Sequence, residues 1–151
     1  MTPLPTVEHP GELPIREVAR RTGFSRSTLR YYESIGLVSP IARDDSSGHR
    51  RYDEDAVQVL EALACLRTTG MGVDAMRTYL RNMARGRSAA SDQRQLFEEH
   101  RDRVSREIEQ LRTRSLYLDG KARLWAAREA EDATAEDRAI RDLGPLTEAL
   151  R

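Results

Sequence analysis

Two short segments near the start of the chain carry apolar residues at helical spacing. The first is predicted at about 14–22, with Gly23 after it as a stop signal. The second is predicted at about 25–35, with Ser25 as its N-cap and Gly36 at its end. Their apolar faces consist of Ile15, Val18 and Ala19 in the first helix and Leu29, Tyr32 and Ile35 in the second. Two short helices around a tight turn indicate a helix-turn-helix.

The next residues extend this pattern into a hairpin and two more helices. Residues 37–52, which contain a Ser-Gly turn, predict two short strands with a mobile tip. Helices are predicted at about 53–69, capped by Asp53, and at about 73–85. Their buried stripes are expected to be Ala56, Val57, Leu60, Leu63 and Ala64, and then Val73, Met76, Leu80 and Met83. Together these elements predict a winged helix-turn-helix head over residues 13–86.

From about residue 89 the apolar residues recur at alternating steps of three and four after the first, which is typical of a coiled-coil seam. A helix of roughly 38 residues would be about 57 Å long, far longer than the head. Because such a helix cannot bury its seam against its own small domain, we predict a homodimer. The seam positions are Phe97, Val104, Ile108, Leu111, Ser115, Leu118, Ala122 and Trp125, with Arg101 interrupting them. We assign dimerisation to Phe97, Val104, Ile108, Leu111, Leu118 and Trp125.

The two ends of the chain complete a division into four parts. Residues 1–12 contain three prolines and one glycine and predict a flexible leader. The head at 13–86 is followed by a dimerisation helix at 87–130 and a tail at 131–151. In the tail, Thr134 and Asp137 suggest a capping box for a short helix, which Gly144 and Pro145 would break. The predicted fold class is all-α with a small β-hairpin wing.

The charge distribution favours a nucleic-acid partner for the head. The formal net charge of the 151 residues is zero. Residues 13–51, however, hold eight Arg against four Asp or Glu, whereas residues 88–151 hold twelve Lys or Arg against fourteen acids. A local positive excess is typical of a DNA-binding module. An excess of four is modest, so tight binding would need two copies.

Several classes of protein are disfavoured by what the sequence lacks. The single cysteine excludes an intrachain disulfide, and no run approaches the roughly 20 apolar residues of a membrane span. We expect a cytoplasmic protein with no membrane contact. No Gly-rich phosphate loop, metal-ligand spacing or nucleophile triad stands out, so we expect neither an enzyme nor a cofactor.

The candidate DNA contacts lie around the second helix and the hairpin. Short polar and basic side chains in the first turns of a helix can approach base edges and phosphates. A solvated polar face is the alternative, but the arginines of the adjoining hairpin favour contact with a phosphate backbone. The candidates are Arg16, Ser25, Arg26, Ser27, Thr28, Arg30, Tyr31, Arg43, His49, Arg50, Arg51 and Tyr52.

The strings TLRYYESIGLVSP and GHRRYDEDAV resemble the MerR family of dimeric transcriptional regulators. The resemblance runs from about 13 to 85, and the helix at 89–127 is similar to the family's antiparallel dimerisation helix. His49 departs from the pattern, because an aromatic such as Tyr is usual there. The positions at family spacing are Leu29-Arg30-Tyr31-Tyr32-Glu33, Gly36-Leu37 and Arg50-x-Tyr52.

The resemblance implies a function as well as a fold. Arg30, Tyr31, Arg50 and other residues of the second helix would contact a palindromic operator in double-stranded promoter DNA. Family members deform a promoter whose spacer is too long, so that RNA polymerase can use both promoter elements. Bending and untwisting cost on the order of 1–6 kcal/mol or more, which movement of the two heads in response to an effector could supply or withhold.

Several kinds of sensor are excluded by the residues after the head. Residues 88–151 contain no Cys, which disfavours a thiolate metal site, and an iron–sulfur cluster needs about four Cys ligands. The roughly 24 residues after the coil are too few for a separate ligand domain. His9, His49 and His100 fall in the leader, the hairpin and the coil, so we expect no metal site.

Cys65 is the candidate effector-sensing residue. A free Cys is most often a small buried hydrophobe. At helical spacing, however, Cys65 points about 140° away from Leu60, so it should face solvent or another element. The context ALACLRTTGM resembles the thiol-reactive NmlR- and AdhR-like branch of the family, which implies a thiolate attacked by aldehydes, other electrophiles or oxidants. Two alternatives stay open.

In the first alternative, Cys65 is a spectator and a small molecule binds non-covalently between the heads and the coil. In the second, the coil is an interaction module and the head is incidental. A ligand response that persists in Cys65→Ser would favour the former. Salt-dependent operator binding by a dimer would exclude the latter.

Overall fold

The computed structural model describes residues 11–151. The predicted leader at 1–12 therefore lies outside the described residues except for Gly11 and Glu12. The described chain divides into two compact units, of which the first ends at Leu96 and the second is Phe97–Arg151. No helix among the described residues is long and apolar enough to cross a membrane.

The chain is mainly helical with a small antiparallel sheet, which confirms the predicted fold class. The elements follow each other as β1 (Leu13–Pro14), α1 (Ile15–Thr22), α2 (Arg26–Ser34), β2 (Ala42–Arg43), β3 (Arg50–Tyr52), α3 (Glu54–Thr68), α4 (Val73–Arg85), a 3₁₀ turn (Gly86–Ala89), α5 (Ala90–Glu129) and α6 (Ala133–Ala149).

The predicted helix ends in the first unit are confirmed. Ser25 Oγ accepts a hydrogen bond from the Thr28 N–H at 3.0 Å, and Asp53 Oδ1 caps α3 through the Ala56 N–H at 2.8 Å. Gly23 ends α1 at a φ of 73°, a left-handed conformation that costs glycine little. Local capping chemistry therefore sets where α1 ends and where α2 and α3 start.

The sheet contains one strand more than the sequence predicts. Its order is β1-β3-β2, with Leu13 opposite Tyr52 and Ala42 opposite Arg51. β1 has two residues, one of them Pro14, so it is too short for an alternating pattern. It leads directly into α1 and thereby joins the hairpin to the first helix.

The core of the first unit follows the predicted helix faces with two corrections, at Ala64, which is half-buried and outside the core, and at the end of α4. Met83 was expected to pack inside but is 57% exposed, whereas the neighbouring Asn82 is buried. The Asn82 side-chain amide donates to Gln93 Oε1 at 3.1 Å, so the last turn of α4 is held by a polar contact. The buried core residues are Val18, Leu29, Tyr32, Leu37, Val38, Tyr52, Val57, Leu60, Leu63, Met71 and Met76.

The second unit is a helical hairpin with a small buried cluster. Leu124 of α5 packs with Ala139 and Leu143 of α6, and Tyr117 lies against them. Gly120 belongs to the same contact, because a Cβ built there would lie 2.7 Å from Leu143 Cδ2. A side chain at this position of α5 would therefore require Leu143 to shift.

Two predictions about the tail are wrong. The N-cap of α6 is Asp132, which accepts from the Ala135 N–H at 3.0 Å, and not the Thr134 and Asp137 box. Gly144 and Pro145 do not break the helix, since Pro145 lies inside α6. Packing of the neighbouring Leu143 against α5 outweighs the low helix propensity of these residues.

Candidate nucleic-acid interface

The starts of α1 and α2 and the hairpin surround an open groove with a cavity volume of about 570 Å³. Seven of the twelve candidate DNA contacts line it, and no carboxylate does. The cationic groove, as we call it, combines basic side chains from elements that are distant in sequence. These side chains belong to Arg16, Arg26, Arg30, Arg43, His49, Arg50 and Arg51.

The first turn of α2 carries a cluster of hydroxyl groups. Ser25 Oγ lies 2.9 Å from both Ser27 Oγ and Thr28 Oγ1, in addition to accepting from the Thr28 N–H. Ser25 and Ser27 are exposed. Tyr31, one turn further on, is 53% exposed, with its ring tilted against Tyr32. This face of α2 can offer donors and acceptors to base edges or phosphates.

Glu33 holds Arg50, one of two half-buried arginines that line the groove. Its Oε1 accepts from Arg50 Nε at 2.8 Å, and its Oε2 accepts from the Ile41 N–H at 2.6 Å. Burial raises the pKa of Glu33, but these two donors together outweigh burial and leave the pKa below its ordinary value. The carboxylate thereby ties α2, the segment before β2, and β3 together. We did not predict this role, although Glu33 and Arg50 are oppositely charged members of the two motif strings.

The hairpin tip is organised around Asp44. Asp44 Oδ1 accepts from the Ser46 hydroxyl at 2.6 Å and from the Ser47 N–H at 2.8 Å, and these bonds hold the pKa of Asp44 far below its ordinary value. Asp44 Oδ2 lies 3.8 Å from Arg51 Nη2. At the turn, Gly48 has a φ of 68° and its carbonyl accepts from Arg43 Nη1 at 3.2 Å. The tip therefore has a defined shape that presents Arg43.

Tyr52 is a correction to the candidate set, because its side chain is 1% exposed and belongs to the core. Residues two apart on a strand share a face, so Arg50 points towards α2 and Tyr52 points into the core beside it. Burial raises the pKa of Tyr52, and its hydroxyl has no hydrogen-bond partner among the described residues. It lies out of reach of a ligand in the groove.

Two arginines, one on α3 and one on α4, anchor the C-terminal part of α2. Arg67 of α3 donates to Tyr32 Oη at 3.1 Å. Both terminal nitrogens of Arg77 of α4 donate to the Ile35 carbonyl oxygen at 3.3 Å. Neither contact was predicted, because the partners are 35 and 42 residues apart and no local pattern links them.

Cys65 is exposed on α3, on the side away from the apolar stripe as its helical position predicted. The described residues contain no group of three or more His, Cys, Asp or Glu side chains placed to hold a metal ion. Cys65 does not line the cationic groove.

Comparison with known proteins places these residues in a family context. The sequence model of the MerR HTH family regulatory proteins matches residues 13–83. The HTH-type transcriptional regulator AdhR of Bacillus subtilis is 34% identical over 90 residues, which are 60% of this chain and 64% of AdhR. An uncharacterized HTH-type transcriptional regulator of Pseudomonas aeruginosa is 32% identical over 99 residues, which are 66% of this chain and 74% of that protein.

A solved structure resembles most of the chain. It is that of HiNmlR, described as a MerR family regulator lacking the sensor domain, bound to promoter DNA. The two share 27% sequence identity with a TM-score of 0.64, over 83% of this chain and 95% of that one. The residues matched by the family model include every basic side chain of the cationic groove.

Proposed function

Because the chain belongs to the MerR family of helix-turn-helix transcriptional regulators, as the motif resemblance predicted, we propose that it binds promoter DNA through the cationic groove and the exposed face of α2. The observation that carries this proposal is the gathering of seven basic side chains along one groove that no acidic residue lines, although Arg50 and Arg51 are also paired with Glu33 and Asp44. Arg43 and Arg16 would contact phosphates, and the first turns of α2 would read bases. The relatives named above are regulators, in agreement with the prediction of a protein that is not an enzyme.

The proposal is tested by selecting DNA fragments that the purified protein retains and measuring affinity for them by fluorescence anisotropy over a range of salt. Arg43→Ala should weaken binding to all sequences alike. It should also reduce the slope of log affinity against log salt concentration by about one. Arg30→Ala should weaken binding by roughly 1–3 kcal/mol and relax the preference at one base position. Arg106→Ala removes an exposed arginine of α5 and serves as the control. Equal losses in all three variants would contradict the proposed interface.

We further propose that the operator is palindromic and is bound by a homodimer. The support is the exposure of the predicted seam, since Ile108, Leu111, Leu118 and Trp125 are 44–67% exposed in the single chain. At about 100° per residue, the stripe that packs on α6 lies on the side of α5 away from this seam. The seam is therefore available to a second copy. Two heads would read half-sites about one helical turn apart.

The bound dimer would distort an over-long promoter spacer and so allow RNA polymerase to use both promoter elements. This step follows from the family resemblance. Footprinting on the selected promoter, with and without the effector, would show a change at the centre of the spacer. An identical footprint in both states would exclude this mechanism.

As the effector, we propose an aldehyde, another electrophile or an oxidant that reacts at Cys65. The exposed thiol and the resemblance of its sequence context to the AdhR-like branch support this proposal. Intact-mass measurement should detect one adduct per chain, absent in Cys65→Ser, which should retain DNA binding and lose the response. A response that persists in Cys65→Ser would favour the alternative of a non-covalent ligand between the heads and the coil.

A further inference from the structure

Trp125 is the largest side chain of the seam and the only tryptophan of the 151 residues. It is 61% exposed, and it follows Leu111 and Leu118 at intervals of seven residues towards the end of α5. In the proposed homodimer it is therefore covered by the second copy of the chain. Aromatic rings pack with preferred geometries, so whatever sets the orientation of this ring contributes to the dimer contact.

Arg128 lies over the indole ring of Trp125. The central carbon of its guanidinium group is 4.9 Å from the centroid of the ring, within the range of a cation–π contact. At about 100° per residue, Arg128 lies about 60° from Trp125 and about 40° from Leu124 around α5. Leu124 belongs to the stripe that packs on α6, so Arg128 stands between that stripe and the seam. One side chain can therefore contact the seam and α6 at once.

Glu136 of α6 holds this arginine in place. Its Oε1 accepts a hydrogen bond from Arg128 Nε at 2.6 Å. Both groups are ionised, which makes the hydrogen bond stronger than one between neutral groups. The Glu136 side chain is half-buried, so water screens the pair only in part. Trp125, Arg128 and Glu136 form a chain of contacts from the seam to α6, which we call the tryptophan brace.

The backbone that carries Glu136 is fixed by the start of α6. The chain turns between α5 and α6 at Glu131, whose φ is 53°, and the Asp132 side chain caps α6. The Glu136 N–H donates to the Asp132 carbonyl oxygen at 2.9 Å. One turn further on, Ala139 packs in the buried cluster with Leu124. The carboxylate of Glu136 is therefore presented from a backbone that is held both at the cap and in the cluster.

We propose that Glu136 is a positioning residue for the dimer. Acting through Arg128, it holds the Trp125 ring in the orientation that packs against the second copy. This inference rests on the proposed homodimer and gives α6 a role in it. Without the Glu136 carboxylate, the side chains of Arg128 and Trp125 gain rotamer freedom, which association then has to remove. α6 thus strengthens the dimer indirectly, through one side chain of the seam.

The packing of Trp125 against the partner is tested by its own fluorescence, since no other tryptophan contributes to the emission. Sedimentation velocity over a dilution series of the full chain gives the dissociation constant of the dimer. Emission and quenching by acrylamide are recorded on the same samples. As the dimer dissociates, the emission should move to longer wavelength and the quenching should increase. Emission and quenching that stay constant while the mass halves would overturn the proposal.

Two matched variants test the tryptophan brace. Glu136→Gln removes the charged acceptor of Arg128. Asp142→Asn also removes an ion pair between α6 and α5, but its partner is Arg123, about 160° from Trp125 around α5. A symmetric dimer contains each contact twice, so about two- to fivefold per contact becomes about fourfold to twenty-fivefold in the dissociation constant of Glu136→Gln. Asp142→Asn should change that constant less than about twofold.

A double-mutant cycle separates positioning of the ring from a loss of stability in α6. If Glu136 acts through Trp125, Glu136→Gln should have little effect on the dissociation constant in a Trp125→Leu background, because the ring to be oriented is gone. Thermal unfolding followed by circular dichroism compares the helical hairpin in the four proteins of the cycle. An undiminished effect in the Trp125→Leu background would mean that Glu136 acts on the fold of the hairpin, which would overturn the inference.

The homodimer and the role of Glu136 give different results when they fail. A wild type that sediments as a monomer at every concentration refutes the homodimer, and the role of Glu136 with it. A wild-type dimer that is weakened equally by Glu136→Gln and Asp142→Asn leaves the homodimer standing and refutes the positioning role alone.

Discussion

The two units of this chain differ in how completely each buries its own apolar residues. Among the described residues, the first unit has a core of eleven buried residues, and its helix α2 is fastened at its start by Ser25 and at its end by Arg67 and Arg77. The second unit buries a cluster of three residues and exposes Leu111, Leu118 and Trp125. The first unit can thus hold its functional surface in one chain, whereas the second has surface for another chain.

The largest expected effect is at the seam. Leu118→Arg should place a charge in the proposed dimer contact and cost roughly 2–5 kcal/mol of association free energy, with DNA affinity falling by orders of magnitude. Because Leu118 is 67% exposed, the melting of the first unit should not change. Light scattering after gel filtration measures the mass of the assembly.

Leu116→Arg is the matched control for the seam, because Leu116 is 56% exposed and lies about 130° from the mean direction of the seam. It should leave the dimer intact. Loss of the dimer in both variants, or in neither, would contradict the assignment of the seam.

The next largest effect is a pH-dependent loss of folding stability in the first unit. Glu33→Gln should reduce the free energy of unfolding at neutral pH by about 1–3 kcal/mol, since Arg50 loses its charged acceptor. The pKa of Glu33 is depressed in the folded state, so its contribution is complete above its ordinary value of 4.5 and is lost as the pH falls through the lower folded value. Denaturant unfolding at several pH values measures the free energy of unfolding of both proteins. The difference between the wild type and the variant should become smaller in acid.

Glu61→Gln, at an exposed position of α3, is the control for this experiment. Its free energy of unfolding should differ little from that of the wild type at every pH. A gap for Glu33→Gln that stays constant or widens in acid would mean that the Arg50 contact does not contribute as the geometry indicates.

A smaller effect distinguishes two glycines of the second unit. Gly120→Ala should destabilise the helical hairpin by about 1–3 kcal/mol of overpacking against Leu143, partly offset by about 1 kcal/mol of helix propensity. A Cβ at Gly144 would meet no atom within 4 Å, so Gly144→Ala should raise stability by roughly 0.5–1 kcal/mol. Thermal unfolding followed by circular dichroism compares them. An equal gain in stability in the two variants would show that α6 does not pack closely at Gly120.

The smallest effect concerns Tyr52. Tyr52→Phe removes a buried hydroxyl that has no partner among the described residues, so stability should stay within about 0.5 kcal/mol or rise, and DNA affinity should not change. Denaturant unfolding and anisotropy measure the two quantities. A loss of DNA affinity would return Tyr52 to the set of contacts.

Local features of the molecule were predictable from the sequence. Ser25, Asp53 and Gly23 act within a few residues of their own positions, so their chemistry predicted the ends of three helices. The basic residues of the groove were predictable as a set, because the charge excess and the motif strings fall in the same segment. Their arrangement into one concave surface was not.

Features that depend on distant partners were missed. Glu33 and Arg50 are 17 residues apart, and Pro145 is tolerated because its neighbour packs on another helix. Asn82 replaces Met83 in the interior because Gln93, on the following helix, supplies an acceptor. In each case a tertiary contact decides the local structure. The periodicity of a single sequence carries no information about such contacts.

The Glu33 contact with the Ile41 N–H also limits where this chain can change in length. The carboxylate spans a fixed number of residues, and the Gly36, Leu37 and Val38 amides within that span are themselves bonded back to α2. An insertion or deletion between Ile35 and Pro40 would shift Ile41 out of register. Homologues that retain the glutamate should therefore keep the number of residues between Glu33 and Ile41 constant. Insertions and deletions in the hairpin should occur beyond Asp44, at the tip.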